Sequence, residues 1–226
     1  MGGFLVAIDG PAGSGKSSVA RAVADRLGLV DINTGASYRA VALAALRENV
    51  DPEDAARLAS LARGVDLDGE GALIRGVRVP DDALRTPEVA AAASKISAHP
   101  ELRRVLVERQ REAAKKAERS GGAVVEGRDI GTVVLPDAPL KVFLSASADE
   151  RARRRAAQTN REGELDRIRE AMRVRDKRDA EREASPLKSA PDAVVIDTTG
   201  LSLEEVVSHV VELARHAARS PDRKGG

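Results

Sequence analysis

The chain has 226 residues, 42% of them hydrophobic and 32% charged, with a formal net charge of only +1; this favours a single soluble α/β domain and gives no support to nucleic-acid binding. It contains no cysteine, which excludes disulfide bonds and thiolate metal sites and agrees with a cytoplasmic location. No apolar run approaches the ~20 residues that a membrane span needs, so we expect no membrane partner.

The most informative stretch lies near the N-terminus. An apolar run at 4–8 predicts a strand and the run 17–27 predicts a helix, and the residues between them match the pattern G-x-x-x-x-G-K-[ST]: Gly10, Pro11, Ala12, Gly13, Ser14, Gly15, Lys16 and Ser17. Glycine lets backbone N–H groups approach phosphate oxygens closely. We expect Lys16 to reach the β- and γ-phosphates of a nucleoside triphosphate and Ser17 to bind its Mg²⁺. A glycine-rich turn with a solvated lysine is the alternative, and the strand–loop–helix context disfavours it.

The next elements are a short strand, two helices and a β insert. Gly28 is suited to end the first helix, and 29–32 reads as a second strand. Helices are predicted from 33–35 to about Asn49 and from about Asp51, where Pro52 lies near the first turn. Alternating apolar residues over 64–79 predict a small β-hairpin with its turn at 69–71.

The second half of the chain alternates helices and strands. Helices are predicted at 86–97, 100–119, 148–183 and 202–219, and strands at 123–126, 140–144 and 193–197. Five short apolar strands alternating with helices indicate an α/β fold, with a five-stranded parallel sheet flanked by helices, a small β insert and a helical lid. We expect one domain over 1–219 and a disordered tail over 220–226.

Ligands of parallel sheets bind at the carboxyl ends of the strands. The turns after Ile8, Asp31, Val125 and Leu144 are therefore expected to line one cleft. This placement gathers a set of polar side chains: Lys16, Thr34, Arg39, Arg128 and Asp129.

Arginine at such a cleft is suited to a second phosphate group, because its guanidinium binds phosphate in a bidentate manner. Arg128 directly follows the third strand of the sheet, and an internal ion pair between Arg128 and Asp129 is the alternative. Residues 151–182 carry twelve basic and seven acidic side chains, and Arg175, Arg178, Asp179 and Arg182 share one helical face. A solvated face is the ordinary explanation of such a pattern. The polar connection 158–163, which contains glycine, is typical of a moving lid.

Six segments together carry a specific resemblance: 8–17, 34–39, 127–134, 175–179, 185–187 and 196–199. From about residue 4 to residue 215 the chain resembles the bacterial cytidylate kinases, a branch of the nucleoside monophosphate kinases with a P-loop kinase core. The resemblance implies transfer of the γ-phosphate of ATP to CMP or dCMP with Mg²⁺. It further implies a monophosphate-binding region at about 33–119, which includes the β insert, and a lid at about 148–182. We expect a monomer.

The resemblance also implies roles for individual residues. Ser94, Arg103 and Asp129 fall where the family reads the cytosine ring. The sugar is contacted by Tyr38, Arg175 and Asp179, and the monophosphate by Arg39, Arg128 and Arg182, with Thr34 also on the substrate side. ATP would be bound by 10–17 together with Ser18 and Arg154. The catalytic charges would be Lys16, Arg128, Arg175 and Arg182.

One departure from the family pattern and three rival functions stay open. The family usually has aspartate where this chain has Asn33, so a charge in the cleft is lost. The rivals are another P-loop kinase acting on UMP or a small metabolite, a nucleotide-dependent switch, and an RNA-binding module built on 151–182. Substrate competition would reveal another kinase, slow hydrolysis without an acceptor would reveal a switch, and salt-sensitive RNA affinity would reveal an RNA-binding module.

Overall fold

The fold is seen in a computed structural model, which describes residues 3–159, 161–182 and 185–219. The predicted tail 220–226 and Asn160 of the predicted lid connection lie outside the described residues. The strands are β1 (Phe4–Asp9), β2 (Val30–Asn33), β3 (Val65–Asp68), β4 (Gly71–Ile74), β5 (Val77–Arg78), β6 (Gly122–Gly127), β7 (Leu140–Ser145) and β8 (Val194–Asp197). Five parallel strands form the main sheet in the order β2–β6–β1–β7–β8, and three antiparallel strands form a small second sheet in the order β3–β4–β5.

Helices connect the strands of both sheets. They are α1 (Lys16–Leu27), α2 (Thr34–Arg47), α3 (Ala55–Ala62), α4 (Asp81–Leu84), α5 (Pro87–Ile96), α6 (Pro100–Arg119), α7 (Ala148–Gln158), α8 (Leu165–Glu181) and α9 (Leu203–Arg219). A π-helical turn follows β6 at Ile130–Val134, and a 3₁₀ turn separates α7 from α8 at Glu162–Glu164. Within the described residues no helix is both long enough and apolar enough to cross a membrane.

The register of the main sheet places the carboxyl ends of its strands at one edge. Asp9 of β1 is opposite Gly127 of β6, and Asn33 of β2 is opposite Glu126. On the other side of β1, the last residue of β7 is opposite the last residue of β8. The predicted five-stranded parallel sheet is therefore confirmed, and all five strand ends can contribute to one site.

The core lies on both faces of the sheet, because alternate residues of β1 point in opposite directions. Leu5 and Ala7 join a cluster with α2, α3, α5 and α6, while Val6 and Ile8 join a cluster with α1 and α9. A third, small cluster packs α7 against α8 through four buried residues: Ala152, Ala156, Ile168 and Met172.

The β insert differs from the prediction. Instead of a two-stranded hairpin, the segment forms three strands, because Arg75 and Gly76 adopt positive φ angles of 50° and 79° and turn the chain again. Strand β4 accordingly ends at Ile74, where the alternation had predicted one strand through Val79.

Helix boundaries follow local capping. Gly28 ends α1 with a φ of 66°, as predicted, and its N–H donates to Ala24 O. Helix α3 begins later than expected, because the Asp54 carboxylate caps it by accepting from Arg57 N. The short α4 was not predicted, and the helical stretch predicted at 148–183 is interrupted by the 3₁₀ turn.

Candidate active site

The loop between β1 and α1 is a tight backbone turn at the carboxyl edge of the sheet. Its three glycines have positive φ angles of 153°, 74° and 88° at Gly10, Gly13 and Gly15. A Cβ on Gly13 would lie 2.8 Å from Cε of Met172 and 2.9 Å from the carbonyl oxygen of Arg151. Glycine is therefore needed both for the conformation and for the close approach of α7 and α8. The loop opens the 12-residue helix α1, whose N-terminal N–H groups favour an anion.

Lys16 begins α1 and is 8% exposed, and its Nζ donates to the carbonyl oxygen of Pro11 at 2.9 Å. Burial, followed by the positive charge of Arg128, lowers the pKa of Lys16 to about 7. A lysine in such surroundings gains from a nearby anion, because phosphate oxygens would stabilise its charged form.

The side chain of Ser17 lies against a buried carboxylate. Its hydroxyl donates to Oε1 of Glu126 at 2.7 Å, and Glu126 is 4% exposed at the end of β6. A serine hydroxyl that donates its proton away keeps its lone pairs available, and oxygen donors are those that Mg²⁺ prefers. These two residues therefore fit the metal that the sequence predicts.

A cavity of about 350 Å³ opens beside the loop. It extends from the start of α1 to helix α7 and the segment after β8, and its lining includes Arg154, Thr198 and Leu201. Arg154 donates to Oγ1 and to the carbonyl oxygen of Thr198 at 2.9 and 2.7 Å, and to Glu150 at 2.9 Å. Arg154 thus lies beside the loop, and Gly13 and the residues through Ser18 line the same cavity.

A buried carboxylate organises the arginine side of the cleft. Asp179 is 4% exposed and accepts from Nε of Arg128 at 2.9 Å. The guanidinium groups of Arg182 and Arg175 approach the same carboxylate at 3.9 and 4.0 Å. Arg128 also donates to the carbonyl oxygen of Gly10 at 2.7 Å, which joins this cluster to the loop. Arg128 is therefore paired with Asp179, not with the adjacent Asp129.

The positive charge of this cluster exceeds what Asp179 can neutralise. Burial, and after it the charge of Arg128, lowers the pKa of Arg175 to about 10. Burial also lowers the pKa of Arg182, with Arg103 as the next cause. Among the described residues, Nε of Arg39, Arg175 and Arg182 has no hydrogen-bond partner. Converging guanidinium groups with buried, unpartnered nitrogens are suited to hold a phosphate.

Arg39 and Thr34 approach the cleft from α2. Asn33 caps this helix by accepting from Ala36 N at 3.2 Å, and Nη2 of Arg39 lies 3.5 Å from the same oxygen. Burial, followed by the charge of Arg85, lowers the pKa of Arg39. The Thr34 hydroxyl donates to the carbonyl oxygen of Glu126 at 2.8 Å, so it ties α2 to β6.

A second buried ion pair lies deeper in the same region. Nη2 of Arg103 donates to Oδ2 of Asp129 at 2.5 Å, and their side chains are only 4% and 7% exposed. The Arg103 guanidinium lies 5.4 Å from the centre of the Tyr38 ring, and burial raises the pKa of Tyr38 to about 12. Ser94, the third residue predicted to read the base, accepts a hydrogen bond from Arg178 at 3.0 Å.

The sequence prediction did not include two residues that the site contains. Thr198 follows β8, whose carboxyl end lies at the same edge as the other four, so the strand-end rule would have found it. Glu126 was visible as an acidic residue in an otherwise apolar strand, 109 positions from the serine that it contacts.

Comparison with known proteins agrees with this geometry. Residues 6–216 match the sequence model of the family described as "Cytidylate kinase". The chain is 44% identical to a cytidylate kinase of Limosilactobacillus reuteri over 94% of its length and 96% of the relative's. It is 45% identical to a cytidylate kinase of Geobacter sulfurreducens, with coverage of 96% and 95%.

A solved structure from Eubacterium ventriosum, described as an uncharacterized protein, matches the fold with a TM-score of 0.51 and 13% identity, over 94% of this chain and 98% of that one. This likeness concerns the fold alone. The family, in contrast, is decided by the sequence relatives and by the match over nearly the whole chain, and the protein belongs to the cytidylate kinase family.

Proposed function

We propose that the protein transfers the γ-phosphate of ATP to CMP or dCMP and releases ADP and CDP or dCDP. The observation that carries this proposal is the pairing of two anion sites in one cleft. Arg128 donates to the carbonyl oxygen of Gly10, and after burial its charge is the next largest cause of the lowered pKa of both Lys16 and Arg175, so one guanidinium acts electrostatically on both sites. Two polyanionic nucleotides would neutralise this charge together.

ATP is the nucleotide that we assign to the loop side. Residues 10–18 would hold the phosphates through backbone N–H groups, with the charge of Lys16 near the β- and γ-phosphates. The cavity beside the loop, with Arg154 and Thr198 in its wall, would take the nucleoside. Ser17 would hold Mg²⁺ together with the phosphates, supported by Glu126 behind it. Bound there, Mg²⁺ would neutralise charge on the β- and γ-phosphates.

The acceptor nucleotide belongs on the arginine side. Arg39, Arg128 and Arg182 would hold the monophosphate, and Tyr38, Arg175 and Asp179 would contact the sugar, with Thr34 fixing the start of α2 beside them. Cytosine offers an amine donor that Asp129 can accept, and two acceptors that Arg103 and Ser94 can satisfy. Uracil exchanges donors and acceptors on part of this ring edge, so its binding would leave buried polar groups of the protein unpaired. An unpaired buried group costs more binding free energy than the simple loss of a contact.

The chemistry requires alignment and positive charge. The attacking group is a phosphate oxygen that is already anionic, so no general base is needed. Lys16, Arg128, Arg175 and Arg182 would stabilise the charge on the migrating phosphoryl group. The regions 33–119 and 148–182 would act as the monophosphate-binding part and the lid, because the first supplies Arg39 and Arg103 to the cleft and the second supplies Arg175 and Arg182. We further propose that the enzyme acts as a monomer in the cytoplasm.

The test is an assay of ADP formation with CMP, dCMP, UMP, AMP and GMP as acceptors. We expect kcat/KM for CMP or dCMP to exceed that for UMP by about a hundredfold or more. The variant Lys16→Ala, purified in the same way, controls for a contaminating kinase. Faster phosphorylation of UMP, AMP or GMP than of CMP and dCMP would overturn the substrate assignment. ADP formation that needs no acceptor would overturn the kinase proposal.

A further inference from the structure

Asp9 is a buried carboxylate to which the proposed reaction gives no role. It is the last residue of β1, directly before Gly10, and it is 4% exposed. Its two oxygens accept from two consecutive backbone amides: Oδ1 from Ile130 N at 2.8 Å and Oδ2 from Gly131 N at 2.7 Å. Both amides belong to the segment that follows β6, 121 and 122 positions later in the chain.

These amides open the π-helical turn Ile130–Val134, which is closed by the N–H of Val134 donating to the carbonyl oxygen of Asp129 at 3.1 Å. The first N–H groups of a helical turn have no partner within it and need an acceptor. Aspartate at the N-cap position usually supplies that acceptor from its own side chain.

Asp129 occupies that N-cap position, yet within the described chain its side chain makes no capping hydrogen bond. Its carboxylate pairs instead with Arg103 at 2.5 Å. Asp9 therefore performs, from a neighbouring strand, the capping that Asp129 would otherwise perform. The Asp129 carboxylate is therefore not needed for capping and is available in the cleft.

Retaining a carboxylate at this position is costly, which argues that its charge has a use. Burial raises the pKa of Asp9 to about 6, although the two amide hydrogen bonds act in the opposite direction. Asp129 raises the pKa further and Lys16 lowers it.

We propose that Asp9 is a positioning residue that caps the turn after β6 in place of Asp129, and thereby fixes Asp129 and Arg128 toward the acceptor nucleotide. The inference rests on the proposed function, since Asp129 and Arg128 are assigned there to the base and the monophosphate. A second bond supports the same link, because Arg128 donates to the carbonyl oxygen of Gly10, the residue next to Asp9.

The variant Asp9→Asn tests the proposal, because an amide keeps the shape but can offer only one acceptor oxygen to the two N–H groups. Although Asp9 adjoins the ATP loop, we expect the loss on the CMP side. KM for CMP should rise about tenfold or more, and the preference for CMP over UMP should fall by a similar factor. KM for ATP should change by less than about threefold.

Asp31→Asn is the control: Asp31 is a half-buried carboxylate near the carboxyl edge of the sheet, but it pairs with Arg21 on α1 at 3.7 Å. It should leave both KM values and the base preference unchanged. If Asp9→Asn raises KM for ATP and CMP equally, or lowers only stability, the positioning role is wrong.

A measurement on the unmutated protein decides the matter even where the variant fails to fold. Amide hydrogen exchange of Ile130 and Gly131, without nucleotide, should be as slow as that of β6. Exchange at the rate of an open loop would overturn the proposal. The variants Arg128→Ala and Asp129→Ala distinguish a failure of the positioning role from a failure of the proposed function. If they alter CMP kinetics and Asp9→Asn does not, the positioning role is wrong and the proposed function stands. If the unmutated protein does not phosphorylate CMP, both fail.

Discussion

The two sides of the cleft are built in different ways. The loop side is built around one stretch of chain, 10–18, which acts mainly through backbone geometry, with Gly10, Gly13 and Gly15 at positive φ angles; Arg154 and Thr198 line the cavity beside it. The arginine side takes its side chains from α2, α6, α8, the residue that follows α8, and the turn after β6, and a buried carboxylate, Asp179, holds three of its arginines together.

This difference has an energetic meaning. A backbone site is preorganised by the fold, because its N–H groups cannot rotate away. A site of long side chains needs partners such as Asp179 and Asp129 to hold its arginines in place, and each partner also competes with the ligand. We therefore expect substitutions on the loop side to affect chemistry, and those on the arginine side to affect affinity and choice of acceptor as well.

The largest effect is expected from Lys16→Ala. Loss of its charge near the γ-phosphate should lower kcat by about 10³-fold. The fold should persist, because burial lowers the pKa of Lys16 to about 7. Near neutral pH the charged form of Lys16 therefore adds nothing to the stability of the folded state. Steady-state kinetics and circular dichroism measure the two outcomes. Lys95→Ala, at an exposed lysine, is the control, and near-normal turnover of Lys16→Ala would contradict the role of the loop.

Arg128→Ala should have the next largest effect. It removes a guanidinium that contacts both Asp179 and Gly10, so KM for CMP should rise and kcat fall together, with kcat/KM lower by about 10²-fold. The control is Arg173→Ala on α8, whose side chain is 67% exposed and pairs with Glu170, three residues earlier on the same helix, at 2.7 Å. If the kinetics of Arg128→Ala equal those of the control, Arg128 has no role in binding or catalysis, and its ion pair with Asp179 is purely structural.

Asp129→Ala should act on selectivity more than on rate. Removing the acceptor for the cytosine amine should reduce the preference for CMP over UMP by roughly 10- to 100-fold, with a smaller effect on kcat for CMP. Because the substitution also leaves Arg103 buried without its carboxylate, thermal unfolding should occur at a lower temperature. The ratio of kcat/KM values for CMP and UMP is the measurement, and an unchanged ratio would remove Asp129 from base recognition.

The contrast between the two sides also explains what the sequence could predict. The sheet followed from five apolar runs between helices, and the loop from a contiguous pattern whose chemistry is independent of the rest of the chain. Even the order of strand ends placed Thr34, Arg39 and Arg128 at one edge. These inferences need only local periodicity and the rules of parallel sheets.

The pairing of the arginines could not be predicted in this way. The sequence alone leaves an ion pair between the adjacent residues Arg128 and Asp129 open as an alternative, whereas each pairs with a residue from another element, 51 and 26 positions away. Chain neighbours at a turn point in different directions, so their partners depend on tertiary packing. For the same reason, Asn33 could be recognised as a departure from the family, but its role as the cap of α2 needed the structure.

The smallest effect concerns Asp31 on β2, a carboxylate to which neither side of the cleft gives a role. Burial, and after it the charge of Glu126, raises the pKa of Asp31 to about 6. Because the folded state binds this proton more tightly than the unfolded state, protonated Asp31 contributes to stability. This contribution is fully present below about pH 4 and is lost as pH rises through about 6. The free energy of unfolding, measured with urea, should fall between pH 4 and pH 7.5 by about 1–3 kcal/mol less in Asp31→Asn than in the unmutated protein. If the Asp31→Asn curve runs parallel to that of the unmutated protein, the Asp31 carboxylate makes no contribution to the pH dependence of stability, and its burial near Glu126 has no energetic cost.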